Sequence, residues 1–167
     1  LSNIFTLEAA CLDLAQHVLE YGFMILTMPV VLIIANLMAY PLETIINDHY
    51  ISSARWKIIR PKFNHLIRIG ITGSYGKTST KFILKTILSE KYNVVCTPLS
   101  YNTPMGVVKT IRTLLKPQTQ IFICEMGAKN VGDIEEICNI ANPNYGLITS
   151  VGPQHLETFK TVDNVFN

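Results

Sequence analysis

Gly70-Ile71-Thr72-Gly73-Ser74-Tyr75-Gly76-Lys77-Thr78-Ser79-Thr80 joins an apolar run to a helical pattern through a glycine-rich turn that ends in Gly-Lys-Thr. That order of parts makes a phosphate cradle. Gly73 and Gly76 permit dihedrals and close backbone approaches that a Cβ forbids. A helix starting near Lys77 aims its unpaired N–H groups and the positive end of its dipole at an anion. Lys77 adds a mobile positive charge and Thr78 a hydroxyl for a magnesium ion, while Thr72, Ser74, Tyr75 and Ser79 complete the loop. The ligand implied is a nucleoside triphosphate. The plainer reading is a Gly/Ser turn before a basic helix, and it leaves the order of strand, loop and helix unexplained.

Downstream, apolar runs and helical patterns alternate. Residues 67–72, 93–97, 120–125 and 146–151 read as strands, and 77–91, 107–116 and 131–141 as helices, with 100–106 a loop. The first of these helices carries Phe82, Ile83, Ile87 and Leu88 as its apolar positions. Strands separated by helices of this length predict an α/β fold, a parallel sheet with helices on both faces. Ligands of such sheets gather at the carboxyl ends of the strands. Those ends are residues 72–77, 97–103, 125–129 and 150–155, all rich in Gly, Pro or polar groups.

Two residues at these ends carry metal chemistry. Glu125 closes the apolar strand Ile121-Phe122-Ile123-Cys124, where nucleotide-hydrolysing folds place an acidic magnesium ligand. A surface Glu just past a strand is the alternative. His155, in Ser150-Val151-Gly152-Pro153-Gln154-His155-Leu156-Glu157, lies near the same crevice and is a candidate for a metal or phosphate. A structural histidine is the alternative there.

Upstream, residues 21–40 contain no charged side chain, and twenty residues at about 1.5 Å each match a hydrocarbon core about 30 Å thick. Tyr21 and Tyr40 sit at the ends, where amphipathic rings favour the lipid–water boundary. Residues 21–40 therefore read as a transmembrane helix, with a buried helix of a soluble domain as the alternative. Residues 1–20 read as an amphipathic helix or the end of an earlier span. They hold no Lys or Arg, whereas Arg55, Lys57, Arg60, Lys62 and Arg68 follow the apolar run. The positive-inside rule then places everything after residue 40 on the cytoplasmic side of the cytoplasmic membrane. Pro41 is expected to open a separate helix over 41–60, within a juxtamembrane segment 41–65. That helix either lies along the membrane surface or packs on the following domain, and Pro61 ends it.

Composition narrows the function classes. The formal charge is +2, too small for a nucleic-acid-binding surface, and charged residues are 16% against about 25% in an average soluble domain. Cys11, Cys96, Cys124 and Cys138 form no CxxC pair, so free thiols are expected rather than a zinc site or disulfides. The sequence starts at Leu1 and stops at Asn167 inside a helical start, and reads as an N-terminal piece of a longer protein.

The loop departs from the common P-loop spelling, having Ile71 where that spelling has its first glycine. Thr-Gly-x-x-Gly-Lys-Thr instead resembles the ATP loop of the Mur ligases and the related folylpolyglutamate synthetases. Glu125-Met126-Gly127-Ala128 and Thr149-Ser150-Val151-Gly152-Pro153-Gln154-His155-Leu156-Glu157 resemble the next two signatures of Mur ligase central domains. The resemblance covers residues 66–167. Glu-Met-Gly-Ala, with Tyr101-Asn102-Thr103-Pro104-Met105-Gly106, points to the branch that adds D-alanyl-D-alanine to UDP-N-acetylmuramoyl-tripeptide.

The resemblance implies ATP-dependent amide-bond formation through an acyl phosphate. It implies that Lys77 and the loop amides hold ATP, that Thr78 and Glu125 bind a first Mg2+ and His155 a second, and that Asn102 and Thr103 face the substrate. The family normally carries a soluble N-terminal domain that grips the UDP-sugar. Here about 65 residues precede the ATP strand, about a third of them reading as membrane span, which suggests a lipid-linked cell-wall precursor as an alternative to a small-molecule one. The family's carbamylated lysine and C-terminal domain would lie past residue 167, so this piece alone is expected to be inactive. Three rivals remain: a membrane-anchored, non-catalytic nucleotide-binding module, a folylpolyglutamate-synthetase-like ligase, and a kinase or generic NTPase using Lys77, Thr78 and Glu125.

Overall fold

The computed structural model describes residues 2–99 and 101–152, in two compact units, Leu1–Ile46 and Asn47–Asn167. The first helix, α1 (Ser2–Ile59), contributes to both. In the first unit every residue from Leu12 to Ile46 except Thr27 is exposed, and the apolar side chains cover the helix all round. Pro41 does not open a new helix. It lies inside α1, as Pro29 does. Each proline removes one donor, at a cost of about 3 kcal/mol, and the helix runs through both.

In the second unit the last turns of α1 are part of the domain. Ala54 and Ile58 are fully buried in the core, with Tyr50 and Ile51 packed beside them. Of residues 41–60, the end from Tyr50 to Ile58 packs on the following domain. A short 3-10 turn, Pro61–Phe63, then leads into the sheet and buries Phe63.

The sheet contains β1 (Ile67–Thr72), β2 (Val94–Cys96), β3 (Ile121–Glu125) and β4 (Tyr145–Ile148), in the order β2-β3-β1-β4, every pairing parallel. Between them run α2 (Lys77–Ser89), α3 (Pro104–Leu114) and α4 (Asp133–Ala141). This is the doubly covered parallel sheet that the alternating pattern predicts. α3 starts earlier than expected because Pro104 takes its first position, where a missing N–H is harmless, and the Thr103 hydroxyl accepts from Gly106 N–H.

Side chains alternate across β3, and that parity organises the core. Phe122, Cys124 and Met126 pack with Val107, Val108 and Ile111 of α3, Ile137 and Ile140 of α4, and the end of α1. Ile121 and Ile123 face the other way, with Ile71, Cys96 and Leu84 and Leu88 of α2. Phe82, Ile83 and Ile87 are exposed, so only Leu88 of the four apolar positions read on this helix turns to the sheet. The inward stripe is Thr78, Lys81, Leu84 and Leu88, spaced by three, three and four residues. Cys96, Cys124 and Cys138 are free thiols. Burial, and then Cys138 and Glu125, push the Cys124 thiol well above its ordinary range, so it stays protonated and unreactive.

Candidate functional site

Parity places Glu125 on the α2 side, in line with Ile121 and Ile123. Glu125 is 1% exposed and is held at three points, two on its carboxylate and one on its backbone. Thr78 Oγ1 donates to Oε1 at 3.0 Å, and Lys81 Nζ lies 2.8 Å from Oε2. The backbone N–H of Glu125 donates to the hydroxyl of buried Thr97 at 3.1 Å. Lys81 is itself fully buried, and its ammonium also donates to the carbonyl of Leu99. No buried side-chain N or O among the described residues lacks a partner.

The loop between β1 and α2 is fastened to the end of β4. Ser74 N–H donates to Ser150 O at 2.7 Å and Tyr75 N–H to Ser150 Oγ at 3.0 Å. Thr149 Oγ1 donates to Tyr75 O at 2.6 Å, and the Ser74 hydroxyl accepts from Gly152 N–H at 2.9 Å. Gly73, at φ +134°, is required here. A Cβ would lie 2.3 Å from Thr149 Oγ1 and 2.8 Å from Ser150 O. Gly76 is the N-cap of α2 in a left-handed conformation, and no side chain caps the helix. The first-turn N–H groups of α2, which have no intrahelical acceptor, thus face the mouth of the loop. Lys77 Nζ curls back onto the carbonyls of Gly73 and Ser74.

Thr72, Gly73, Ser74, Tyr75, Gly76, Lys77, Thr78, Ser79 and Glu125 therefore converge on one end of the sheet. The amides of Ser74 and Tyr75 are engaged with Ser150, which leaves the start of α2 and Lys77 as the anion-facing groups. Asn102 is tied to the same end by Gly127 N–H, which donates to its carbonyl at 2.8 Å. The Thr103 hydroxyl caps α3. His155 lies outside the described residues.

Lys81 and Thr97 are site-building residues that a reading of motifs passes over, while Thr149 and Ser150 open the third signature but were given no role there. Lys81 had one signal: three residues after Thr78 and three before Leu84, it falls on the inward stripe of α2.

The donor set fits magnesium. Thr78 and Glu125 offer hard oxygens 3.0 Å apart, and Mg2+ takes one or two such protein ligands and fills its octahedron with water and phosphate oxygens. Glu125 accepts the Thr78 proton, which leaves the lone pairs of the more exposed Thr78 oxygen for a cation. Among the described residues no cluster of three or more His, Cys, Asp or Glu offers an alternative metal site.

A family model described as the Mur ligase middle domain matches residues 71–167. The chain belongs to the Mur ligase family. It is 38% identical over 95 residues to the UDP-N-acetylmuramoyl-tripeptide--D-alanyl-D-alanine ligase of Treponema pallidum, covering 57% of this chain and 20% of that protein. With the enzyme of the same name from Synechocystis it shares 43% over 88 residues, 53% of this chain and 19% of the relative. The chain thus spans about a fifth of the length of these curated relatives. Among solved structures, the MurF ligase of Thermotoga maritima in complex with ADP superposes with a TM-score of 0.66 at 36% identity, covering 72% of this chain and 27% of that one. MurF of Acinetobacter baumannii gives 0.67 at 28%, covering 72% and 26%. The Mur ligase fold and the sheet described above are the same architecture.

Proposed function

We propose that this chain is the ATP-binding part of a membrane-anchored ligase that joins D-alanyl-D-alanine, or a similar amine, to the carboxylate of a muramyl peptide in peptidoglycan synthesis. The observation that carries this reading is the convergence of Lys77, Thr78 and Glu125 at the mouth of a Gly73–Gly76 loop built like that of the family. The relatives' names supply the substrate class.

In the reaction a carboxylate oxygen attacks the γ-phosphorus of ATP and ADP leaves. The amine nitrogen then attacks the acyl carbon, losing a proton as inorganic phosphate departs. Lys77 and the first-turn amides of α2 bind the phosphates and stabilise the charge that builds on them. Thr78 and Glu125 would hold Mg2+, which supplies positive charge at the phosphate oxygens. Asn102 borders the same end of the sheet and faces the acceptor. His155 is assigned to a second metal from the motif alone.

The membrane reading rests on α1, which is long and apolar enough to cross a bilayer and has none of that stretch buried against protein. A helix apolar all round needs an apolar solvent. Thr27 satisfies its own hydroxyl by donating to Phe23 O at 2.9 Å, as a polar group in lipid must. With Arg55, Arg60 and Lys62 following, the ATP site faces the cytoplasm and an acceptor carried on a lipid is within the reading.

The test is to incubate the full-length protein with ATP, Mg2+, D-alanyl-D-alanine and muramyl tripeptide in UDP-linked and lipid-linked forms. ADP, phosphate and an extended peptide are expected. Their absence with every acceptor would overturn the ligase reading and leave a nucleotide-binding module.

A further inference from the structure

The buried Lys81 does more than neutralise Glu125. Leu99, whose carbonyl it holds, has φ +41°, a left-handed conformation that a bulky residue rarely adopts and that the surroundings must enforce. The Leu99 side chain is 73% exposed and brings no packing to that task. Its backbone is fixed through the carbonyl, by an ammonium that is itself completely buried. The chain then turns, with Tyr101 N–H donating to Pro98 O at 2.9 Å, and reaches Asn102, whose carbonyl accepts from Gly127 N–H two residues beyond Glu125. A Cβ on Gly127 would lie 2.7 Å from the Asn102 amide nitrogen, so strand end and loop are in direct contact.

From this geometry we infer that Lys81 is a positioning residue: one ammonium group fixes both the magnesium-side carboxylate of Glu125 and the turn that presents the 101–103 loop to the acceptor. The inference rests on the proposed function for the loop's role, while the contacts themselves do not. A lysine suits the task because its three donors radiate from one nitrogen and reach a carboxylate and a carbonyl on different elements at once. Nucleotide-side and acceptor-side geometry are thereby set by the same atom. A shift of Glu125 is transmitted to Leu99 through a single buried group.

The test compares the full-length wild type with Lys81→Met and Lys81→Arg by amide hydrogen exchange without ligand. In Lys81→Met the amides of Tyr101 and Gly127 are expected to exchange at least tenfold faster, while those of Ile111 in α3 and Ile69 in β1 keep their protection. Lys81→Arg, which keeps the charge, is expected to recover part of that protection. In turnover, Lys81→Met is expected to raise KM for the muramyl acceptor at least fivefold more than KM for ATP. If Lys81→Met does not fold, the double variant Lys81→Met/Glu125→Met removes both charges, and the same two amides are read there. Unchanged exchange at Tyr101 and Gly127, or a uniform acceleration at all four amides, overturns the inference. Exchange needs no activity, so failure of the ligase reading would show separately, as a wild type that makes no product.

Discussion

At the scale of single residues, Glu125 is over-determined: Thr97 holds its N–H, Thr78 one carboxylate oxygen and Lys81 the other. Removing the Thr97 hydroxyl leaves a buried N–H without an acceptor, which costs about 1–3 kcal/mol. Thr97→Val is therefore expected to lower the unfolding free energy by that much, read as a lower urea midpoint at an unchanged m-value. Lys77 is different in kind. Its ammonium rests on its own loop's carbonyls, and its removal leaves the sheet contacts intact. Lys77→Met is expected to keep the unfolding free energy within about 0.5 kcal/mol and to lower kcat by about 10²–10³-fold, the effect of losing one preorganised charge donor. ADP release by the full-length enzyme measures it. Lys77 and Thr78 could be read from one short motif and Glu125 from its place at the end of an apolar strand, and the structure brings Thr78 and Glu125 within 3.0 Å. Lys81 could not, because a lysine is by default a surface residue and its partner lies 44 positions away.

At the scale of elements, the strands and the order of helices followed from apolar runs punctuated by Gly and Pro. Which face of α2 turns inward did not. Phe82, Ile83 and Ile87 outnumber Leu84 and Leu88, yet the inward stripe is set by the Lys81–Glu125 pair at one end and the two leucines at the other. The end of α1 was open in the same way, since an amphipathic helix suits a membrane surface or a protein core equally well. Ile58 decides it, being 1% exposed within the core beneath α3 and α4. Lys57 adds a polar tie, donating to the carbonyls of Ile111 at 2.8 Å and Arg112 at 2.9 Å at the end of α3. Arg112 in turn lies over the Tyr50 ring, 4.1 Å from its centroid. Ile58→Ala is expected to destabilise the second unit by about 2–4 kcal/mol, as large-to-small changes in well-packed cores do. Trp56→Ala two residues earlier, at an exposed position, is expected to stay within about 0.5 kcal/mol. Denaturant unfolding of the two variants side by side separates a packed helix from one lying free.

At the scale of the whole molecule, the composition divides the chain. The charge deficit is concentrated in residues 21–40, and the structure leaves every side chain there exposed apart from half-buried Thr27. In water such a surface would be an aggregation site, because an apolar patch of this extent exceeds what soluble monomers expose. In a bilayer the same surface is solvated and the helix backbone is satisfied internally. The two environments make opposite predictions for a charge at its centre. A lysine in place of Val31 would improve solubility in water, whereas at the middle of a span it costs about 2.5–3.5 kcal/mol of insertion. The full-length protein is therefore expected to stay with membranes through alkaline carbonate extraction, and Val31→Lys to shift a large fraction to the supernatant. Orientation follows from the basic flank. In sealed inside-out vesicles, added protease is expected to cleave the ATP-binding domain, while in right-side-out vesicles that domain is protected. Release of the wild type by carbonate would remove the anchor and with it the reason to expect a lipid-linked acceptor, whereas protection in the inside-out vesicles would overturn the orientation. The Lys77–Thr78–Glu125 site would stand unchanged, since it is built wholly within the second unit.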